Sequence, residues 1–301
     1  MKAIITGASG FVGRELCRHL ASEGDAVLPF GPDPPDFLDI LDRHGVREAI
    51  AGSGAEAVYH LAALSHAGAS FEKSVETIRV NVEGTLNVLD ACREAGVSRV
   101  LVVGSAEEYG NGAGNIEAFT EESPLRPVSP YGVSKVAAEY LGLQAFLSAG
   151  LGTVMTRSFN HTGPEQSPDF VVPALAMRIA QAERVGSNEI DVGRLDSERE
   201  FNDVRDVVRA YRLLLLRGSS GSVYNVCSGV AYSIAELARR LMDLSTRILT
   251  LRQDPSLTRA AEPSRVVGDP AKLKADTGWE PEFSLDETLR AILDEARASA
   301  T

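Results

Sequence analysis

Ala3-Ile4-Ile5-Thr6-Gly7-Ala8-Ser9-Gly10-Phe11-Val12-Gly13 decides the fold. Its first four residues are a short apolar run, the pattern of a strand covered on both faces in a parallel sheet. Glycines follow at once in GxxGxxG spacing, and a helical pattern through Leu16 and Leu20 comes next. Strand, glycine turn and helix in that order are the context a dinucleotide fingerprint needs. Gly7 permits the tight turn. Gly10 lets the backbone approach a pyrophosphate seated on the helix N-terminus, and Gly13 lets the helix pack on the strand. Ser9, Phe11 and Val12 belong to the same turn and are read as cofactor-binding with the glycines.

Outward from this stretch, strands alternate with helices. Ala26-Val27-Leu28-Pro29-Phe30, Ala57-Val58-Tyr59-His60-Leu61-Ala62-Ala63, Arg99 to Gly104 and Thr153-Val154-Met155-Thr156 read as strands. Helical patterns cover 43–51, 74–95 and 131–149. Such alternation predicts an α/β fold with a doubly wound parallel sheet. Beyond it the pattern loosens. Arg157-Ser158-Phe159-Asn160-His161-Thr162-Gly163-Pro164 reads as a polar loop, Ile190-Asp191-Val192 and 222–226 as strands, and 173–183, 204–217 and 285–298 as helices. Ser233 caps a further helix, with Glu236 three residues on. The expected division is a dinucleotide-binding unit at 1–157 plus about 201–228, and a smaller interleaved α/β substrate region at 158–200 and 229–301. Substrate is expected in the cleft between them. Asp33 lies 20 residues past Gly13, the offset of a ribose-binding acid, and no Lys or Arg stands between Arg18 and Arg43. Both features favour NAD over NADP, and the same proline-rich loop around Asp33 reads equally as a local turn.

Ser129-Pro130-Tyr131-Gly132-Val133-Ser134-Lys135 carries the chemistry. Tyr131 and Lys135 are one helical turn apart on one face. Pro130 suits a first turn. A free phenol, with a pKa near 10, is a poor proton donor or acceptor at neutral pH. An ammonium beside it is expected to draw that pKa down, giving a tuned general acid/base.

A net charge of −12 in 301 residues argues against a nucleic-acid or anionic-membrane surface. Cys17, Cys92 and Cys227 form no CxxC pair and read as reduced thiols of a cytoplasmic protein. The N-terminus does not read as a signal peptide, and no apolar run approaches the ~20 residues of a membrane helix. His60 and His66 read as structural or surface residues, and no metal site is expected.

With Gly7, Gly10, Gly13, Asn81, Ser105, Tyr131 and Lys135 placed, the chain resembles, over essentially its whole length, the extended short-chain dehydrogenase/reductases (the NAD-dependent epimerase/dehydratase family). These act on nucleotide sugars. The stretches 104–110, 129–135, 157–164 and 223–229 are most similar to the GDP-4-keto-6-deoxy-D-mannose reductase branch, then to the GDP-mannose 4,6-dehydratases. The resemblance implies a Rossmann-type fold and NAD(H) or NADP(H) as cofactor. It implies a GDP-sugar as substrate, no nucleic acid or membrane partner, and a homodimer built on the helices at 74–95 and 131–149. It makes Tyr131 the donor of a proton to the C4 ketone, Lys135 the residue that tunes Tyr131 and binds the nicotinamide ribose, and Ser105 a partner of the reacting oxygen. Asp39 and Ile40 hold the adenine, and Leu61, Ala62 and Ala63 line the cofactor. Asn160 and Arg199 hold the diphosphate, Glu107 reaches sugar hydroxyls, and Arg259 and Glu262 contact the sugar nucleotide. Two departures stand out: Ala260 where the family has proline, and Gly31-Pro32-Asp33 where some reductases have an arginine. The rival readings are a 4,6-dehydratase, for which Glu107 would serve as acid, a UDP-hexose 4-epimerase, and a cofactor-binding regulator without turnover.

Overall fold

The computed structural model describes residues 1–31, 38–111, 117–254, 257 and 265–299. The first half runs β1 (Lys2–Thr6), α1 (Phe11–Ser22), β2 (Ala26–Phe30), α2 (Arg43–Ser53), β3 (Ala57–His60), α3 (Ser74–Ile78), α4 (Gly84–Ala95), β4 (Arg99–Ser105), α5 (Pro130–Ala149) and β5 (Gly152–Ser158). The second runs β6 (His161–Thr162), α6 (Val171–Val185), β7 (Glu189–Val192), β8 (Glu198–Glu200), β9 (Asn202–Asp203), α7 (Val204–Arg217), β10 (Val223–Val226), β11 (Ala231–Ser233), α8 (Ile234–Asp243), β12 (Thr250–Gln253), β13 (Arg265–Val266), α9 (Ala271–Thr277) and α10 (Leu285–Ser299).

Six parallel strands lie in the order β10-β5-β4-β3-β1-β2. Alternate residues feed two separate cores, as the two-residue period of a strand requires. Ile5, Tyr59, Leu101 and Val154 face α1 and α7. Ile4, Val58, Val100 and Met155 face the layer of α2, α4 and α5. A third core, remote from the sheet, joins Leu175 and Ile179 of α6 to Ile190, Leu237, Leu241, Leu289 and Leu293. The strand order reverses at β1, which has β2 on one side and β3 on the other. A crevice opens at the carboxyl ends of strands at such a switch point.

Three local expectations are corrected. The helix expected at 74–95 is two helices joined by one π turn, Arg79–Glu83. There Asn81 leaves the helical pattern to serve the main chain of Leu64: its Oδ1 accepts from Leu64 N at 2.8 Å and its Nδ2 donates to Leu64 O at 3.1 Å. The third strand stops at His60, not Ala63. Past Leu61 the backbone amides turn to side chains: Ala62 N donates to Thr6 Oγ1 at 3.3 Å, and Leu64 N to Asn81. Arg157 is not in a loop but in β5, because its guanidinium pairs with the buried Glu139. The short strands β8, β11, β12 and β13 carry little apolar patterning and were not legible.

Candidate active site

A cleft of about 1550 Å³ runs from the glycine turn, across the ends of β1, β3 and β4, to α6 and the loop before β8. The expected cofactor residues Gly7, Ser9, Gly10, Phe11, Val12, Gly13, Asp39, Ile40, Leu61, Ala62 and Ala63 all border it. Gly7 has φ +75°, and a Cβ there would meet Ala62 N at 2.8 Å. A Cβ on Gly13 would land on the carbonyl oxygen of Gly7. The turn is thus closed to larger residues at Gly7 and Gly13, two of its three glycines. Gly10 caps α1 without a side-chain acceptor, and Phe11, Val12 and Gly13 of the first turn border the cleft. These groups fit a pyrophosphate. Asp33 lies outside the described residues, so the preference for NAD drawn from it stays an expectation.

A buried chain of hydrogen bonds braces this floor. Thr6 Oγ1 and His60 Nδ1 are 2.8 Å apart, and His60 Nε2 and Thr85 Oγ1 2.9 Å. Thr85 donates to Asn81 O at 2.6 Å, Asn81 Nδ2 to Ser134 Oγ at 2.9 Å, and Ser134 to Tyr131 O at 2.7 Å. His60 is therefore structural, as expected, and burial, with Lys135 nearby, pulls its pKa down to about 3.

Tyr131 opens α5 just after Pro130, under a cap in which Ser129 accepts from Gly132 N at 3.0 Å. Its phenol is buried beside Ser105 and borders the cleft. Lys135 lies on the same face, its Nζ 5.9 Å from the Tyr131 ring centre and donating to Val103 O at 2.7 Å. The expected downward pull on Tyr131 is not what this arrangement gives. Burial holds the phenol well above its ordinary range, the Ser105 hydroxyl beside it opposes that, and the Glu107 charge adds to it. Burial also lowers Lys135 to about 8. Desolvation is the largest cause, and it favours the uncharged, protonated phenol.

Ser105 ends β4 and caps the short turn Ala106–Glu108, its Oγ accepting from Glu107 N at 3.2 Å. Glu107 is exposed at the cleft. Asn160 and Arg199 border the far half, and Asn160 O is held by Asn202 N at 2.9 Å. Arg259 and Glu262 lie outside the described residues. Sequence reading missed Arg178 and Arg194, which border the same half. Arg178 carried a signal: it interrupts the apolar run of α6 and donates to Asp191 O at 3.1 Å. Also missed were Glu108, Glu139 and Arg157, buried beneath Ser105.

The family model for GDP-mannose 4,6 dehydratase matches residues 37–292. The chain is 38% identical over 298 residues to GDP-6-deoxy-D-mannose reductase of Pseudomonas aeruginosa, covering 98% of this chain and 96% of that one. The structure of RMD from Pseudomonas aeruginosa complexed with NADPH superposes with a TM-score of 0.90 at 37% identity, covering 99% of both chains. UDP-glucose 4-epimerase of Thermus thermophilus in complex with NAD gives 0.89 at 27% identity, over 99% of this chain and 100% of that one.

Proposed function

Because the chain belongs to the GDP-mannose 4,6 dehydratase family of extended short-chain dehydrogenase/reductases, we propose that it reduces the C4 ketone of a GDP-4-keto-6-deoxyhexose, using NADH or NADPH, to a GDP-D-rhamnose type product. The observation that carries the reading is the buried phenol of Tyr131 beside Ser105, in one cleft with the glycine turn and the arginine-bordered half. The nicotinamide supplies a hydride to C4 when bound. Tyr131 gives its hydroxyl proton to the oxygen as the carbonyl π pair moves onto it, and Ser105 stabilises the charge developing there. Lys135 balances the phenolate left behind. Arg199 and Asn160 hold the diphosphate, Arg199 through charge-assisted bonds. The test is a reduced cofactor deuterated at the transferring position: the product carries deuterium at C4, and deuterium absent from the product counts against the reading.

Glu107 favours a second reading, GDP-mannose 4,6-dehydration, since a carboxylate at the cleft could help expel the C6 hydroxyl. The division at 1–157 plus 201–228 against 158–200 plus 229–301 goes with either reading, and is supported by the third core, whose buried residues fall within 172–192 and 237–296 apart from Phe201. A homodimer is supported by Val133, Tyr140 and Leu147, exposed at seven-residue intervals along α5, beside exposed Val75 and Leu86. Sedimentation equilibrium checks it: the native chain runs as a dimer and Leu147→Glu as a monomer. No helix among the described residues is long and apolar enough to cross a membrane. Cytoplasmic residence is supported by three thiols outside any disulfide.

A further inference from the structure

Two carboxyls and one guanidinium are buried together beneath the reacting pair. Glu108 and Glu139 come from the turn after β4 and from α5, and Arg157 comes from β5; all three are buried. Arg157 is committed elsewhere. Its Nε and Nη2 donate to the two oxygens of Glu139 at 2.8 and 2.7 Å, and its Nη1 donates to Tyr109 OH at 3.0 Å and Glu121 O at 2.8 Å. Its Nε is 3.7 Å from Glu108 Oε2, beyond hydrogen-bond reach. Glu108 Oε1 accepts the amide of Ser105 at 2.7 Å. Glu108 Oε2 is buried with no hydrogen-bond donor among the described residues. Gly104 makes room for this carboxyl, since a Cβ there would strike Oε1.

An ionised Glu108 would bury a charge with one oxygen unpaired, beside a second carboxylate whose countercharge is already taken. A proton on Oε2 removes both penalties, because the Glu139 carboxylate lies against Glu108 and can accept it. We propose that Glu108 is a positioning residue for Ser105 and Tyr131, an uncharged carboxyl that holds the Ser105 amide through Oε1 and gives a hydrogen bond to Glu139 through Oε2. Burial and the Glu139 charge both push its pKa well above the usual carboxylate range. The groups that face it are Ser105 on its own turn, Tyr131, Lys135 and Glu139 on α5, and Arg157 on β5. Its charge state matters because a negative Glu108 would oppose the phenolate that Tyr131 becomes on giving up its proton. An uncharged Glu108 fixes Ser105 without that opposition.

The proposal rests on the reductase reading for its kinetic arm and not for its spectroscopic arm. The kinetic arm compares Glu108→Gln, which keeps an acceptor for Ser105 and a donor for Glu139, with Glu108→Leu, which keeps neither. Glu108→Gln retains kcat within about threefold, and Glu108→Leu loses roughly 10²-fold in kcat with KM little changed, the scale of a misplaced reacting group. The spectroscopic arm is the infrared band of a protonated carboxyl at neutral pH in the native chain, absent from Glu108→Gln. If Glu108→Gln falls as far as Glu108→Leu, or the native chain shows no such band, the proposal is overturned. If Glu108→Leu fails to fold, the band and the Glu108→Gln kinetics still decide.

Discussion

The glycine turn at 7–13 and the arginines at 178, 194 and 199 border the same cleft, yet they are made differently. The turn is local. Strand, turn and helix are contiguous, and steric demands at Gly7 and Gly13 leave little choice of residue. The arginine end is assembled from α6, the loop after β7 and β8, whose residues meet only because a separate core holds them together. Between these ends, Tyr131 and Ser105 come from α5 and β4 and lie side by side. A local end suits a cofactor common to many reactions, and an assembled end suits a substrate that varies.

Substitutions that affect one region and spare the others test that contrast. Tyr131→Phe removes the proton donor alone: kcat falls about 10³-fold while cofactor and sugar-nucleotide affinities, read by calorimetry, hold. Loss of cofactor binding in that variant would mean the phenol belongs to the cofactor end. Arg199→Ala acts at the assembled end. KM for the sugar nucleotide rises roughly 10- to 100-fold, the worth of a charge-assisted hydrogen bond, with cofactor affinity unchanged in fluorescence titration. Gly7→Ala acts at the local end and imposes a left-handed backbone on a residue with a Cβ. It costs about 1–2 kcal/mol of stability in denaturant unfolding and weakens cofactor binding. An effect confined to acid pH concerns the floor both ends share. His60 is held near pKa 3 in the folded chain against about 6.5 when unfolded, so the unfolded chain binds more protons between those values. Stability is unaffected by His60 above that window and falls as pH drops through it, by at most ~1.4 kcal/mol per pH unit. His60→Gln flattens that part of the acid limb in urea titrations.

The same contrast explains what was legible in the sequence. The parallel sheet and the glycine turn were readable because a buried apolar strand followed by a turn that excludes side chains is a short-range pattern. So was the Tyr131–Lys135 face, since helical spacing alone places both residues. The π turn at Asn81 was not readable, because its cause is a hydrogen-bonding need of Leu64, 17 residues away in sequence. Arg157 looked like a loop residue until Glu139 supplied its partner. The direction of the Tyr131 shift was misjudged because spacing shows a neighbouring charge and cannot show how much water the fold removes. Arg178 and Arg194 needed the third core to bring them to the cleft.

The most direct measurement offers the purified protein two mixtures: a GDP-4-keto-6-deoxyhexose with NADPH or NADH, and GDP-mannose with the oxidised cofactor. The account predicts oxidation of the reduced cofactor and loss of the ketone in the first, with no turnover in the second. Formation of a 4-keto sugar from GDP-mannose, with no consumption of the ketone in the first mixture, would contradict it.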